Sequence, residues 1–239
     1  MIRIAPVPRV LEESADAIRR VDPMAQPAHQ DISRRREAAI LSDDLARLTQ
    51  AVPAFGNGAV TRKSLREAAQ AYAESRLPSL SLFVGVMIWG YADPGYGPTR
   101  VTRMLRDRQQ ALARVERALA AMRDGDIAKA YEAICFPRVG TAFGTKFLAF
   151  ASRPFNVRPT PLILDSRVCK AFSTLLGAPH LMRDFARRGL VVRDAAGYVR
   201  YVRTMNEWAE RLGCDAEQIE VYLFEKTGGP WGLRNRAKS

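Results

Sequence analysis

Residues 136–165 of the chain read FPRVGTAFGTKFLAFASRPFNVRPTPLILD. Two helical patterns, 130–136 and 141–151, meet at a turn containing Pro137, Val139 and Gly140. Such a turn presents successive backbone N–H groups at the start of the second helix, and those groups are a ready site for phosphate. Taken alone, the turn reads as easily as an ordinary helix–turn–helix connection with a glycine for its geometry. It does not stand alone. The second helix carries Lys146, and the segment after it closes on a single aspartate, Asp165, in front of another helical pattern.

Composition narrows the partner. With 47% hydrophobic content over 239 residues, the chain can bury a core as one compact domain or two tightly packed subdomains. A net charge of +12, carried by Arg more than Lys, suits a polyphosphate partner, and nucleic acid is the first candidate. Cys135, Cys169 and Cys214 lie far apart with no CxxC, which excludes a zinc site or a four-cysteine cluster built from them and leaves them as small apolar filling in a reduced cytosol. His29 and His180 form neither a metal pair nor a visible triad, so no metal is expected. The longest apolar run, 80–92, is interrupted by Ser81, Gly85 and Gly90 and falls short of the roughly 20 residues of a spanning helix. It reads as a buried core helix. Pro6 and Pro8, with no apolar stretch behind Arg3 and Arg9, argue against a secretory signal. The expectation is a soluble cytoplasmic protein associated with the nucleoid, with no membrane partner.

The pattern along the chain is repeatedly helical, at 61–75, 77–90, 99–108, 110–122, 127–136, 141–151, 166–176, 181–188, 198–212 and 216–226, with little period-two alternation. The fold class is mainly α. Thr61 with Ser64 and Asp215 with Gln218 read as N-terminal caps, Pro78 as a first-turn residue, and Gly177 and Gly213 as C-terminal stops. Residues 1–75 form an N-terminal arm and helices partly packed on a core made by 76–239. Within that arm Pro6, Pro8, Pro23 and Pro27 leave room for at most one short helix, near 12–20. Arg34, Arg35 and Arg36 open a helix through Leu48, read either as a solvated face or as a phosphate contact. Val191, Val192 and Gly197 suggest a small turn or hairpin.

The run Phe136-Pro137-Arg138-Val139-Gly140-Thr141 resembles the L-P-G-V-G-T hairpin of the helix-hairpin-helix DNA glycosylase superfamily, and 161–168, PLILDSRV, resembles that superfamily's later P-x-x-V-D-x-x-V element. The two motifs together are far more specific than either. The resemblance implies two packed helical subdomains with the active-site cleft between them, acting as a monomer on double-stranded DNA. It implies that Val139, Gly140 and Ala142 hold a DNA phosphate and that Asp165 serves the excision of a flipped base. Further matches favour the 8-oxoguanine glycosylase branch. Arg100-Val101-Thr102-Arg103-Met104-Leu105 resembles the helix after that branch's strand-penetrating loop, which makes 93–98 the loop, Tyr96 the wedge and Arg100 the contact to the orphaned base. Glu220-Val221-Tyr222-Leu223-Phe224 resembles a helix whose polar residue, here Glu220, reads the base edge while Phe224 stacks on the ring. The resemblance covers 78–230 and leaves the N-terminal third unmatched. No cofactor is implied beyond a monovalent cation at the hairpin.

One departure matters. Lysine-dependent members read G-T-K at the hairpin, whereas aligning Val139-Gly140-Thr141 puts Ala142 in the lysine slot. Lys146 lies one turn further on the same helix face. The alternative register Gly144-Thr145-Lys146 restores G-T-K and a family-like gap of 19 residues, from 146 to 165. Lys146 is then either the catalytic nucleophile, once its ammonium has lost a proton, or a structural or phosphate-binding lysine. Bland readings stand beside the others: Asp165 as the N-cap of 166–176, Phe224 as core, Glu220 as an exposed helix residue, and Trp89, Trp208 and Trp231 as packing, with 228–231 as a loop at the site.

An N-glycosyl bond inside a duplex cannot be attacked in place, so the base must first be extruded. The leading reading is a DNA glycosylase, with or without strand-cleaving lyase activity. Oxidised guanine is the substrate implied by resemblance. A bulky modified pyrimidine such as glucosylated hydroxymethylcytosine in phage DNA is the alternative and would make the enzyme a defence protein. A non-catalytic DNA-gripping module is the second class, and Asp165 separates it from the first.

Overall fold

The structure is a computed structural model, and it describes residues 5–25, 29–30, 47–48, 59–91, 97–179, 181 and 194–227. The basic run at Arg34–Arg36, the wedge candidate Tyr96 with 93–95, most of the helix expected at 181–188, Val191, Val192 and the 228–231 loop lie outside the described residues.

Described residues are overwhelmingly helical. Two short helices, α1 (Arg9–Glu13) and α2 (Ala15–Arg19), meet at Ser14, and a two-residue antiparallel ribbon pairs β1 (His29–Gln30) with β2 (Ala59–Val60) in the register His29 to Val60. So short a ribbon leaves no alternation in the sequence. Then come α3 (Arg62–Ala73), α4 (Ser79–Tyr91), α5 (Gly97–Met104), α6 (Arg108–Arg123), α7 (Ile127–Ile134) and α8 (Thr141–Ala151). A 3-10 turn at Arg153–Phe155 leads to α9 (Ser166–Thr174), α10 (Ala195–Leu212) and α11 (Ala216–Lys226).

The caps explain most boundaries. Thr61 and Ser64 form a reciprocal capping box on α3, and Asp215 and Gln218 form one on α11. Gly213, in the left-handed region at φ +63°, ends α10. Gly197 departs from expectation: rather than turning the chain, it sits inside the first turn of α10 and donates its N–H to the capping Asp194 carboxylate at 2.8 Å. Helix α9 stops at Thr174, ahead of Gly177.

α4 is buried at every position from Ser79 to Trp89, as an apolar run without a polar face requires. It packs on α8, α3, α5 and α6, while α6 packs on α7. A second group, α9 to α11, joins this one where α10 packs on α7. The first residues are docked on that second group. Leu11 and Ile18 are fully buried, Trp208 Nε1 donates to the Ala5 carbonyl at 2.9 Å, and Gln218 Nε2 donates to the carbonyls of Arg19 and Val21. Two helices with buried anchors therefore replace the single short helix expected there. Among the described residues no helix is long and apolar enough to cross a membrane.

Candidate active site

The site begins with a length of extended backbone. Residues 160–164 run buried between α8, α10 and α11, where helices offer no ladder of backbone partners, and side chains supply the hydrogen bonds instead. Asn206 accepts from the Thr160 N–H at 2.9 Å and donates to the Thr160 carbonyl at 3.0 Å. Tyr198 and Tyr201 donate to the carbonyls of Leu162 and Ile163, each at 2.8 Å. Glu220 Oε2 accepts from the Ile163 N–H at 2.8 Å, and Thr145 Oγ1 accepts from the Leu164 N–H at 3.0 Å. The strap is thus pinned from three helices, and its next residue is Asp165.

Asp165 divides its oxygens between two tasks. Oδ1 accepts from the backbone N–H groups of Arg167 and Val168 at 3.0 and 3.1 Å and caps α9. Oδ2 accepts from Lys146 Nζ at 3.0 Å. Both residues are nearly enclosed, Lys146 at 8% exposure and Asp165 at 7%. Burial works against the carboxylate. The Lys146 ammonium and the two N–H groups outweigh it and hold the Asp165 carboxyl below its ordinary value.

The register of Lys146 follows from helix geometry. Helical side chains lean toward the N-terminus, so Nζ ends 3.5 Å from the carbonyl oxygen of Ala142. The amine thus reaches back one turn, to the level of the Ala142 backbone, while its Cα stays four residues beyond the slot where the hairpin alignment expects a lysine. Two glycines make room. A Cβ at Gly90 would come 3.0 Å from Lys146 Cδ and 2.9 Å from the Phe143 ring, and one at Gly144 would come 2.6 Å from Cys135 Sγ. Gly90 therefore seats the lysine stem against α4, and Gly144 lets α8 close on the end of α7. Cys169, one turn beyond Asp165, is no rival nucleophile, since burial and then the Asp165 charge push its thiol up to about 12.

Around this pair the candidates divide. In the hairpin, Val139 donates its N–H to the Phe136 carbonyl at 2.8 Å and its side chain is fully buried, so it closes the turn instead of offering an amide to phosphate. Exposed Gly140 and partly buried Ala142 stand at the start of α8, which no side chain caps. Arg100 is exposed and lies over the Tyr91 ring at 5.4 Å; that ring packs on Phe143 at 4.2 Å between centroids, beside Lys146. Phe224 is half-buried with the Arg167 guanidinium 3.8 Å above its ring, and Arg167 follows Asp165 by two residues. Glu220 is a correction. At 1% exposure, with Oε1 on Arg62 at 2.5 Å and Oε2 on Ile163, it holds the strap and is enclosed away from any surface that a base edge could reach.

Arg62 and its partners are the residues that sequence reasoning missed. The 2%-exposed Arg62 donates to Glu217 at 2.8 Å as well as to Glu220, and Arg153 and Arg66 also bind Glu217. A signal was present. Arg62 stands on the same face as Leu65, Ala69 and Tyr72, and Glu217 and Glu220 share a face with Phe224, so charge occupies apolar-face positions that demand a buried partner. Among the described residues no group of three His, Cys, Asp or Glu is placed to hold a metal ion.

A mainly helical chain in which a hairpin opens a lysine-bearing helix and an extended strap delivers an aspartate to that lysine has the helix-hairpin-helix glycosylase-like fold. The model of a protein family described as "Putative 8-oxoguanine DNA glycosylase OGG-like protein" matches residues 14–224, and the chain belongs to that family. The match begins well upstream of residue 78 and takes in α3, in keeping with the place of Arg62 beneath the strap. No curated protein and no solved structure matches the chain significantly.

Proposed function

We propose that this protein is a monomeric DNA glycosylase that extrudes an oxidised guanine from duplex DNA and releases it with Lys146 as nucleophile and Asp165 as its electrostatic partner. One observation carries the reading: the 3.0 Å contact between Lys146 Nζ and Asp165 Oδ2 in a nearly enclosed position. A protein that only grips DNA has no need to bury an amine against a carboxylate at the end of a strap pinned by side chains from three helices.

In the reaction the ammonium first gives up a proton, and Asp165 Oδ2 is the acceptor already hydrogen-bonded to it. The amine then attacks C1′ of the extruded nucleotide. The N–C1′ bond forms as the glycosyl bond breaks, and the departing base takes the bonding pair together with the proton that Asp165 had accepted from Lys146. That transfer leaves Asp165 ionised again as positive charge develops on the sugar, which the carboxylate stabilises. Ring opening leaves an imine, from which hydrolysis regenerates the amine and elimination at the sugar would cut the strand. Phe224 supplies the stacking face, with Arg167 displaced from it or retained above the base.

Borohydride reduces an imine and leaves the protein covalently joined to DNA. With an 8-oxoguanine-containing duplex, the expected result is an adduct that wild-type protein forms and Lys146→Gln does not. Base release by wild-type protein with no trappable adduct, together with normal release by Lys146→Gln, would assign the attack to water activated by Asp165.

A further inference from the structure

The hairpin carries a side chain where its geometry favours none. Arg138 lies in the left-handed region at φ +75°, in a turn closed by the Val139 N–H on the Phe136 carbonyl. That conformation costs free energy for any residue with a Cβ and almost none for glycine. The residue kept there is an exposed cation. Its Nη1 donates to the Arg103 carbonyl at 3.2 Å, which sets the guanidinium beside the end of α5 and uses one of its five N–H donors.

Arg138 thereby joins a cationic shoulder. α5 is anchored by buried Val101 and Met104 and turns Arg100 and Arg103 outward; the chain then exposes Arg106 ahead of α6 and Arg108 at its first position. The one acidic residue in 97–108 is Asp107, and it caps α6 by accepting from the Gln110 N–H at 2.9 Å. Among the described residues no carboxylate pairs with Arg103, Arg106 or Arg138. A solvated helix face usually mixes both signs, and this one does not.

We propose that Arg138, with Arg103 and Arg106 beside it, is a DNA-backbone clamp that takes the phosphates flanking the one held at the start of α8. The guanidinium fork fits phosphate oxygens, and the position is sequence-independent, so the clamp contributes affinity and register rather than base choice. It rests on the reading of the chain as a duplex-DNA enzyme. On this account the strain at residue 138 is retained because the side chain is needed at the hairpin tip.

The test sets stability against binding. Arg138→Gly, Arg138→Lys and Arg103→Ser are compared with wild type in the full chain by melting temperature and by affinity for two duplexes across a KCl series, one unmodified and one with a single tetrahydrofuran abasic site. Arg138→Gly is expected to raise the melting temperature, weaken both duplexes alike by roughly 3- to 10-fold, and reduce the log–log salt slope by about one. Arg138→Lys should keep the wild-type slope, and Arg103→Ser should lose about one. Unchanged affinity and slope in Arg138→Gly would overturn the clamp while leaving the glycosylase reading intact. A wild-type protein with no salt-dependent affinity for either duplex would overturn both.

Discussion

Lys146 meets Asp165 because of the direction in which a helical side chain leans, and this places a sharp condition on where the amine can sit. A lysine moved to position 142 would lean a further turn toward the hairpin, about 5 Å from the present Nζ, outside hydrogen-bond reach of Asp165. The double variant Ala142→Lys, Lys146→Gln should therefore fail to form the borohydride adduct even though it restores the family's hairpin lysine. Adduct formation by that variant would show that register, and not contact with Asp165, selects the nucleophile. Asp165→Asn keeps the shape and removes the charge. Base release should fall by roughly 10²-fold or more with DNA affinity nearly intact, and release at the wild-type rate would remove Asp165 from the mechanism. The same residue carries a pH signature. Its folded carboxyl is held below the ordinary 3.8, so the stability it contributes is fully present above that value and is lost as pH falls through the depressed one. Acid unfolding curves of wild type and Asp165→Asn should accordingly differ most above pH 3.8 and converge below it.

At the scale of elements, the parts that were legible are those whose boundaries are written in local chemistry. α8 and α11 occupy 141–151 and 216–226 as their periodicity predicts, α11 with the cap read at Asp215 and Gln218, and the distance along the chain from Lys146 to Asp165 is visible in the family-like gap. The strap was not legible as a structural unit. Its partners come from Thr145, Tyr198, Tyr201, Asn206 and Glu220, each an ordinary helical residue until the helices are packed, and no local pattern announces a long-range hydrogen bond from a tyrosine to a carbonyl. The same blindness misread Glu220 as a base contact, because a polar residue one turn before a phenylalanine looks alike whether it faces a pocket or a buried arginine. Tyr201→Phe removes one donor and leaves the Ile163 carbonyl buried without it. It should cost about 1–3 kcal/mol in urea unfolding and lower the single-turnover rate more than the DNA affinity, since the loosened element is the one that aims Asp165. A loss of stability with an unaltered rate would mean that α9 alone positions the aspartate.

For the molecule as a whole, the decisive contact joins the N-terminal part to the strap. Arg62, from the first turn of α3, lies 5.7 Å over the Trp89 ring of α4 and binds two glutamates of α11, one of which holds Ile163. A buried ion pair of this kind contributes modestly to net stability, yet removing one partner strands the other in a low-dielectric interior. Glu217 would still have Arg153 and Arg66; Glu220 would keep just the Ile163 N–H among its described contacts. Arg62→Ala is therefore expected to destabilise the fold by about 3–5 kcal/mol, whereas Arg9→Ala, which breaks an exposed pair with Glu13, should change nothing measurable. Pairing Arg62→Met with Glu220→Gln removes both charges together and should recover much of the stability without recovering the rate, because a neutral side-chain amide at position 220 holds the Ile163 N–H less firmly than the carboxylate does. Urea midpoints and single-turnover rates on the three variants decide the matter. If Arg62→Ala unfolds at the wild-type midpoint, the buried ion pairs add nothing to the fold, and Glu220 holds the strap without Arg62.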